Sequence, residues 1–566
     1  MLKEKIEKLL KKALKKAFQK EINLQINWCK DFSHGDFSSN IALILARELK
    51  KNPSEIGKEI IKNFPTNNLL KKIESKNGFL NFFLQDREVF QEIFYFNPEQ
   101  KIIAENFKNK KINIDFSHPN IAKPLHFGHF RSTIIGESLV RILRYCSAEV
   151  LADNYLGDWG TQFGKLVVAI RKWGDKEKIK TNPIQELVQL YQYFYQQAEN
   201  NPGLEKEGAE EFRKMEKEKD PENLALWQWI VDVSLDELKT FYQKIDANFD
   251  CIRGESYWEK FITKTLNFMR KKKVLVSDQG AEVVFFEEET NLPPMLFVRS
   301  DGASFYQTRD IARILFYEKE NFTDMIYVVG ADQNLHFKQL AETAKMLGLK
   351  SKIKHVQFGL MRLKSGKMST RKGTSIGIEE VLEKAEEYTE KILQKKRITS
   401  FSATEKKQLK KIISMGALKF NDLSQNRLKD IVFDWDKMLS FEGYSAPFLQ
   451  YSYARGKSIL RKSKINLKQN MFFETDSSWQ KEEIELVKKI LNFTEIVILS
   501  AEKLRPNILA EYLFSLAHYF NKFYARVKIL SLPKKEKEMR LFLINKTCQV
   551  LKKGLYLLGI DAPDRM

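Results

Sequence analysis

The stretch INIDFSHPNIAKPLHFGHFRSTIIGESLVRILRYC (112–146), followed by EVLADNY (149–155), decides the fold. Ile112–Ser117 reads as a strand, HPNIAKPL as a loop, and the residues from His126 to Cys146 carry the apolar periodicity of a helix. EVLADNY is a second strand, so the order is strand, loop, helix, strand. Such a unit implies a parallel sheet with ligands held at the carboxyl ends of its strands. His126-Phe127-Gly128-His129 then sits at the helix start, where unpaired N–H groups and a partial positive charge can hold phosphate oxygens. The imidazoles add hydrogen-bond donors aimed at the same oxygens, and Gly128 removes a side chain so that a base can approach flat. Two ordinary surface histidines are the competing reading. In a chain of this composition an H-x-G-H is expected only about 0.004 times, and His118, His126 and His129, three of the seven histidines, fall within twelve residues.

Working outward, further strands are expected at MIYVVG (325–330) and HVQFGLMRL (355–363). The second leads into LKSGKMSTRKGTS (363–375), which sets Lys364, Lys367, Arg371 and Lys372 among glycines and hydroxyls. Alone, a lysine-rich loop is usually a solvated surface. After a strand of the same sheet, its cations suit a departing pyrophosphate, where charge builds up in the transition state. The expected fold is multidomain α/β, a Rossmann-like parallel-sheet catalytic domain between an N-terminal α+β domain and a C-terminal all-α helical bundle. The N-terminal unit spans 1–105, with GFLNFFL (78–84) as a strand, and the catalytic domain spans 106–395 with a helical insertion near 172–290, whose charged helices (204–245) are followed by a hairpin-like VLVSDQGAEVVFF. A helical connector covers 396–446 and the bundle 447–566, with no further strands after about residue 400.

At 566 residues the chain is too long for a single core. No uninterrupted apolar run approaches a bilayer-spanning length. The first twenty residues are basic and amphipathic, but they contain Glu4 and Glu7 and no Arg or Ser, unlike a transit peptide. They read as the first helix of a cytoplasmic protein. Cys29, Cys146, Cys251 and Cys548 stand far apart, which argues against structural zinc and against a disulfide framework. Lysine plus arginine total 95 against 74 acidic residues, a formal charge of +21. That excess favours a polyanionic partner, although a uniformly lysine-rich surface gives the same sum.

HFGH and KMSTR resemble the HIGH and KMSKS signatures of class I aminoacyl-tRNA synthetases. DFSHPNIAKPLHFGHFRSTIIGESLVR, NYLGDWGTQFGKL, SFYQTRDIA, FDWDKMLSFEG and the closing LLGIDAPDRM narrow the resemblance to the arginyl-tRNA synthetase family. It extends over nearly the whole chain. The resemblance implies an ATP-dependent ligase that activates arginine, releases pyrophosphate and esterifies the 3′ end of tRNA(Arg), with Mg²⁺ travelling on the phosphates and no zinc. It implies tRNA, arginine and ATP as partners, no membrane, a monomer, and a requirement for tRNA before arginine is activated. Carried over residue by residue, it makes His126, His129 and Lys367 catalytic and adds Lys123, Gly128 and Ser369 to the ATP site. It assigns Asp115, Asn120, Tyr306, Asp310 and Gln333 to arginine. Asn40, within HGDFSSNIAL (34–43), joins Tyr451, Tyr524 and Met566 as tRNA contacts. Tyr306 and Asp310 are spaced i,i+4 and share a helix face, so a ring and a carboxylate can grip one guanidinium. The second lysine of the KMSKS signature is Thr370 here, leaving Arg371, Lys372 or Lys123 to supply that charge.

Two rivals stand beside this reading. A cysteinyl enzyme of the same class calls for zinc, and a glutamyl enzyme calls for cations rather than Asp115 and Asp310 facing its substrate. A non-catalytic RNA-binding descendant has no need of both histidines and Lys367.

Overall fold

The computed structural model describes residues 2–29, 31–363, 366–367, 377–395, 401–465 and 479–566, with 362–363 and 366–367 described by backbone alone. The central sheet has five parallel strands: β1 (Lys111–Asp115), β2 (Glu149–Leu156), β3 (Cys251–Gly254), β4 (Asp324–Tyr327) and β5 (Lys352–His355). Their spatial order is β5-β4-β1-β2-β3, all parallel. β1 occupies the middle, and its neighbours β4 and β2 lead off in opposite directions. A crevice opens outside the carboxyl ends at such a point.

Helix α1 (Phe127–Tyr145) follows β1 and is buried along most of its length. Gly136 lets it lie against the strand, because a Cβ there would stand 2.2 Å from the Phe116 ring. On its other side α1 supports the C-terminal helices. Ser138 Oγ donates to the Leu557 carbonyl (3.0 Å) and Arg141 to that of Tyr556 (3.0 Å). The helix that follows the central strand is therefore also the keel on which the helical domain rests. No helix among the described residues is long and apolar enough to cross a membrane.

The N-terminal unit is a four-stranded antiparallel sheet with helices Leu2–Phe18, Ile41–Leu49 and Pro53–Lys62. Its hairpin Leu70–Lys76 to Phe79–Leu84 turns at Asn77-Gly78, both at positive φ, as a tight two-residue loop requires. It docks on the C-terminal domain through buried Asp36, which pairs with Lys488 and accepts a hydrogen bond from Leu84 N–H (2.7 Å).

Three strand expectations change. β3 falls within the stretch expected as a helical insertion (172–290). Helices Thr161–Trp173 to Pro221–Lys244 precede it, and an antiparallel sheet ending at Met295–Val298 follows. Its four residues, CIRG, show no alternation and form a strand only by pairing with β2. HVQFGLMRL, expected as one strand, divides between β5 and Met361–Leu363. The latter joins Gly366–Lys367 antiparallel and Ile431–Phe433 parallel in a separate sheet. Ile431–Phe433 lies beyond residue 400, where no strand is expected, and is fixed by a partner some seventy residues away.

Candidate active site

His126 is the N-cap of α1. Gly128 N–H donates to its Nδ1 (3.1 Å), and His126 N–H donates to His129 Nδ1 (3.1 Å). The two rings stack with centroids 3.8 Å apart. Each Nδ1 is thus an acceptor, so each neutral ring carries its proton on Nε2. Partial desolvation lowers the pKa of His126, and burial, then the two neighbouring imidazoles, lowers that of His129 to about 3. At neutral pH the pair offers two Nε2–H donors without charge, at the end of a helix whose own N–H groups face the same way.

The loop before this helix is strained. Ser117, His118 and Ala122 hold φ of 82°, 52° and 59°, positions that cost side-chain-bearing residues energy unless the surroundings hold them. Ser117 N–H donates to Ser132 Oγ (2.9 Å), and Ser117 Oγ lies 2.8 Å from the Tyr242 hydroxyl. Tyr242 comes from the insertion helix Pro221–Lys244 and also accepts from Asn154 (2.9 Å). Nothing local in the sequence marks Tyr242 for this task.

The carboxylates of the expected arginine site divide. Helix α2 (Tyr306–Lys319) places Tyr306, 50% exposed, and Asp310, 8% exposed, one turn apart, with Arg313 Nη1 3.9 Å from Asp310 Oδ1. His336 Nε2 lies 2.9 Å from Asp310 Oδ2, and its ring stands 5.0 Å from that of Tyr306. Asp115 lies deeper. It is fully buried, with Oδ2 2.6 Å from Arg313 Nη2 and Oδ1 2.9 Å from His118 Nε2. Burial alone raises its pKa, but Arg313 and His118 more than reverse this and hold the carboxyl below its ordinary range. The chain's own guanidinium meets the Asp115 charge closely and that of Asp310 at longer range. Arg313 also pairs with Asp153 (3.3 Å), to which Tyr317 donates (2.5 Å).

A further carboxylate, Glu255, lies close enough to Asp310 to feel its charge. Glu255 follows β3 at the sheet's carboxyl edge, half-buried, and burial raises its pKa to about 7, with Asp158, Glu259 and Asp310 adding to the rise and Arg309 opposing it. Asp158, from the GDWGTQFG segment, accepts from Ser256 N–H (2.9 Å) and Ser256 Oγ (2.7 Å), which fixes the turn that aims Glu255. Gly157 of the same segment makes room for Asn120, whose Oδ1 would stand 2.3 Å from a Cβ there. The segment ties the loop at Asn120 to the turn after β3. Glu255 was recoverable from its position just after a strand, had CIRG been legible as one. Gln333 is half-buried in the short turn Ala331–Gln333 after β4.

The Met361–Leu363 and Gly366–Lys367 hairpin leaves this edge after a Gly330–Phe358 bridge beyond β4 and β5. Of Lys367 only the backbone is described; Ser369, Lys364, Arg371 and Lys372 lie outside the described residues. Lys123 is exposed on the rim of a cleft of about 880 Å³ walled by helices Pro183–Asn200 and Pro221–Lys244.

Tyr451, Tyr524 and Met566 line one cavity of about 770 Å³ in the helical domain, together with Arg455, Lys462 and Arg565. The Arg455 guanidinium lies 4.8 Å from the Tyr451 ring and 5.4 Å from that of Tyr524. Asn40 does not share such a setting. Its carbonyl caps helix Ile41–Leu49, and it stands off the nearby surface cavity lined by Trp28, Lys76, Phe79 and Asn81.

Three family models match the chain: the arginyl tRNA synthetase N terminal domain over 4–84, the class I (R) tRNA synthetase catalytic domain over 95–435, and the DALR anticodon binding domain over 449–566. The chain is 40% identical over 550 residues to an arginine–tRNA ligase of Fusobacterium nucleatum, covering 96% of this chain and 95% of the relative. It is also 40% identical over 524 residues to one from Halothermothrix orenii, covering 91% of each. Among solved structures, arginyl-tRNA synthetase from Plasmodium falciparum superposes with a TM-score of 0.85 at 26% identity, covering 100% of this chain and 99% of that one. The Thermus thermophilus arginyl-tRNA synthetase shares the fold with a TM-score of 0.84 at 24% identity, over the full length of both.

Proposed function

The chain belongs to the arginyl-tRNA synthetase family and joins arginine to tRNA at the expense of ATP, and on that premise we propose how its residues share the work. The arginine carboxylate attacks the α-phosphate of ATP, pyrophosphate leaves, and the arginyl group passes to the 3′-terminal ribose of tRNA(Arg). No protein nucleophile is needed, so the enzyme contributes position and charge. His126 and His129 donate Nε2–H bonds to the phosphates, while Gly128 leaves space for the nucleotide. Lys367, with Lys123 and Ser369, meets the charge that builds on the departing pyrophosphate, whose Mg²⁺ arrives with ATP.

Asp310 and Glu255 receive the guanidinium over the Tyr306 ring, with Asn120 and Gln333 positioned for the α-amino and carboxylate end. Asp115 acts through His118 and Arg313 as a positioning residue. The domain limits 1–105, 106–395, 396–446 and 447–566, a monomeric state and a cytoplasmic location complete the proposal. The observation that carries it is the pair of tautomer-locked imidazoles at the start of the helix that follows the central strand of the parallel sheet. Charging bulk tRNA with each amino acid in turn tests it; charging with an amino acid other than arginine, or with none, would sink it.

Glu255 gives arginine binding a pH dependence. With its carboxyl at about 7 in the free enzyme, a cation binds best once the proton has left. Arginine affinity should rise with pH up to about 7 and then level off, falling at most about tenfold per unit below that. Calorimetric titration of arginine into wild type and Glu255→Gln checks this, since the variant should bind weakly and lose the slope.

In the helical domain, Tyr451 and Tyr524 stack on anticodon bases and Met566 closes the cavity, with Asn40 contacting tRNA at the other end of the molecule. Tyr451→Ala should weaken tRNA binding about tenfold by loss of one stacking partner. Arginine activation at saturating tRNA should be unchanged, and filter binding alongside pyrophosphate exchange separates the two.

A further inference from the structure

Two residues after His129, α1 carries Arg131, which is buried with 1% exposure. Its side chain reaches the root of the lysine hairpin. Arg131 Nη1 donates to the Gly359 carbonyl (2.6 Å) and Nη2 to that of Arg427 (3.4 Å). Nε and Nη2 pair with the two oxygens of Asp422 (2.8 and 3.3 Å), a buried carboxylate on α3 (Ala403–Leu423). The guanidinium also stands 5.4 Å from the Phe358 ring. Around it the root is tied twice more: Gly359 N–H donates to Arg427 O (2.8 Å), and Leu360 N–H to Asp430 Oδ1 (2.9 Å). Gly359 has no room for a side chain, since a Cβ would stand 2.9 Å from Lys429 O.

A planar guanidinium with donors in a fixed fork sets direction as well as distance, which a lysine ammonium cannot do. From these contacts we propose that Arg131 is a positioning residue, a clamp that fixes the lysine-bearing hairpin relative to the histidine pair on the same helix. Both halves of the phosphate-handling machinery are then registered to one side chain, and an error of about 1 Å there would carry directly into the reacting geometry. The proposal rests on the reading that Lys367 faces the leaving pyrophosphate.

The test measures single-turnover arginine activation, with tRNA present, in Arg131→Lys, Lys367→Ala and the double variant. Arg131→Lys is expected to lower the activation rate about 100-fold with the KM for arginine within about twofold. The double variant should then be little worse than Lys367→Ala alone, because the clamp acts through the hairpin. Independent, multiplying losses would overturn the proposal. So would an Arg131→Lys enzyme that melts earlier but turns over normally well below its Tm, since the side chain would then serve folding only. Should Lys367→Ala be fully active while Arg131→Lys is slow, the reading of the lysine fails and the clamp stands on the hairpin as a whole. If Arg131→Lys does not fold, Gly359→Ala displaces the same root from the other side and should show the same loss of rate at constant KM. Full activity in that variant counts against the clamp.

Discussion

His129→Ala should slow arginyl-adenylate formation by about 10²- to 10³-fold, roughly 3–4 kcal/mol of transition-state stabilisation, and leave tRNA affinity unchanged. Two losses coincide in this variant. The Nε2–H donor disappears, and so does the Nδ1 acceptor that holds His126 N–H and keeps the N-cap in place. His129→Asn offers a shorter donor in the same direction and should recover part of the rate. Because burial and the neighbouring imidazoles keep the His129 pKa at about 3, protonation of this ring contributes nothing to the pH profile in the neutral range. Single-turnover consumption of ATP, with tRNA binding measured on the same preparations, decides the matter. Unchanged kinetics would remove the phosphate-holding role.

Asp310→Asn should raise the KM for arginine about 100-fold, near 3 kcal/mol, while moving the KM for ATP by no more than about threefold. The substitution keeps the shape of the side chain and its reach to His336, so it removes charge without opening a cavity. What is lost is one of two carboxylates facing a desolvated guanidinium, and Glu255 alone cannot complete the pairing. Equal losses for arginine and ATP would mark Asp310 as a support of the fold. Steady-state titration of each substrate at saturating levels of the other distinguishes these outcomes.

Much of the site could be read directly from residue order. The H-x-G-H start of α1, the i,i+4 pair Tyr306 and Asp310, and the aromatic and sulphur side chains that meet in the helical-domain cavity all rest on short spacings or on family likeness. What residue order hides has a common form. CIRG lacks the alternation that marks a strand, so neither β3 nor the position of Glu255 just after it is legible in residue order. The family likeness assigns Asp115 to arginine, and residue order gives no sign of its pair with Arg313, nearly two hundred residues away.

Sequence by itself determined the parallel α/β core, the paired-histidine helix start and the family to which the chain belongs. Capping, periodicity and spacing act over a few residues and leave their mark in the order of the chain. Tertiary structure alone decided which partner each carboxylate meets and where the lysine hairpin is anchored. A buried charge takes its state from whatever packs against it. Arg313 beside Asp115, Asp158 beneath Glu255 and Arg131 under Gly359 come together only when strands and helices far apart in the chain close around one crevice.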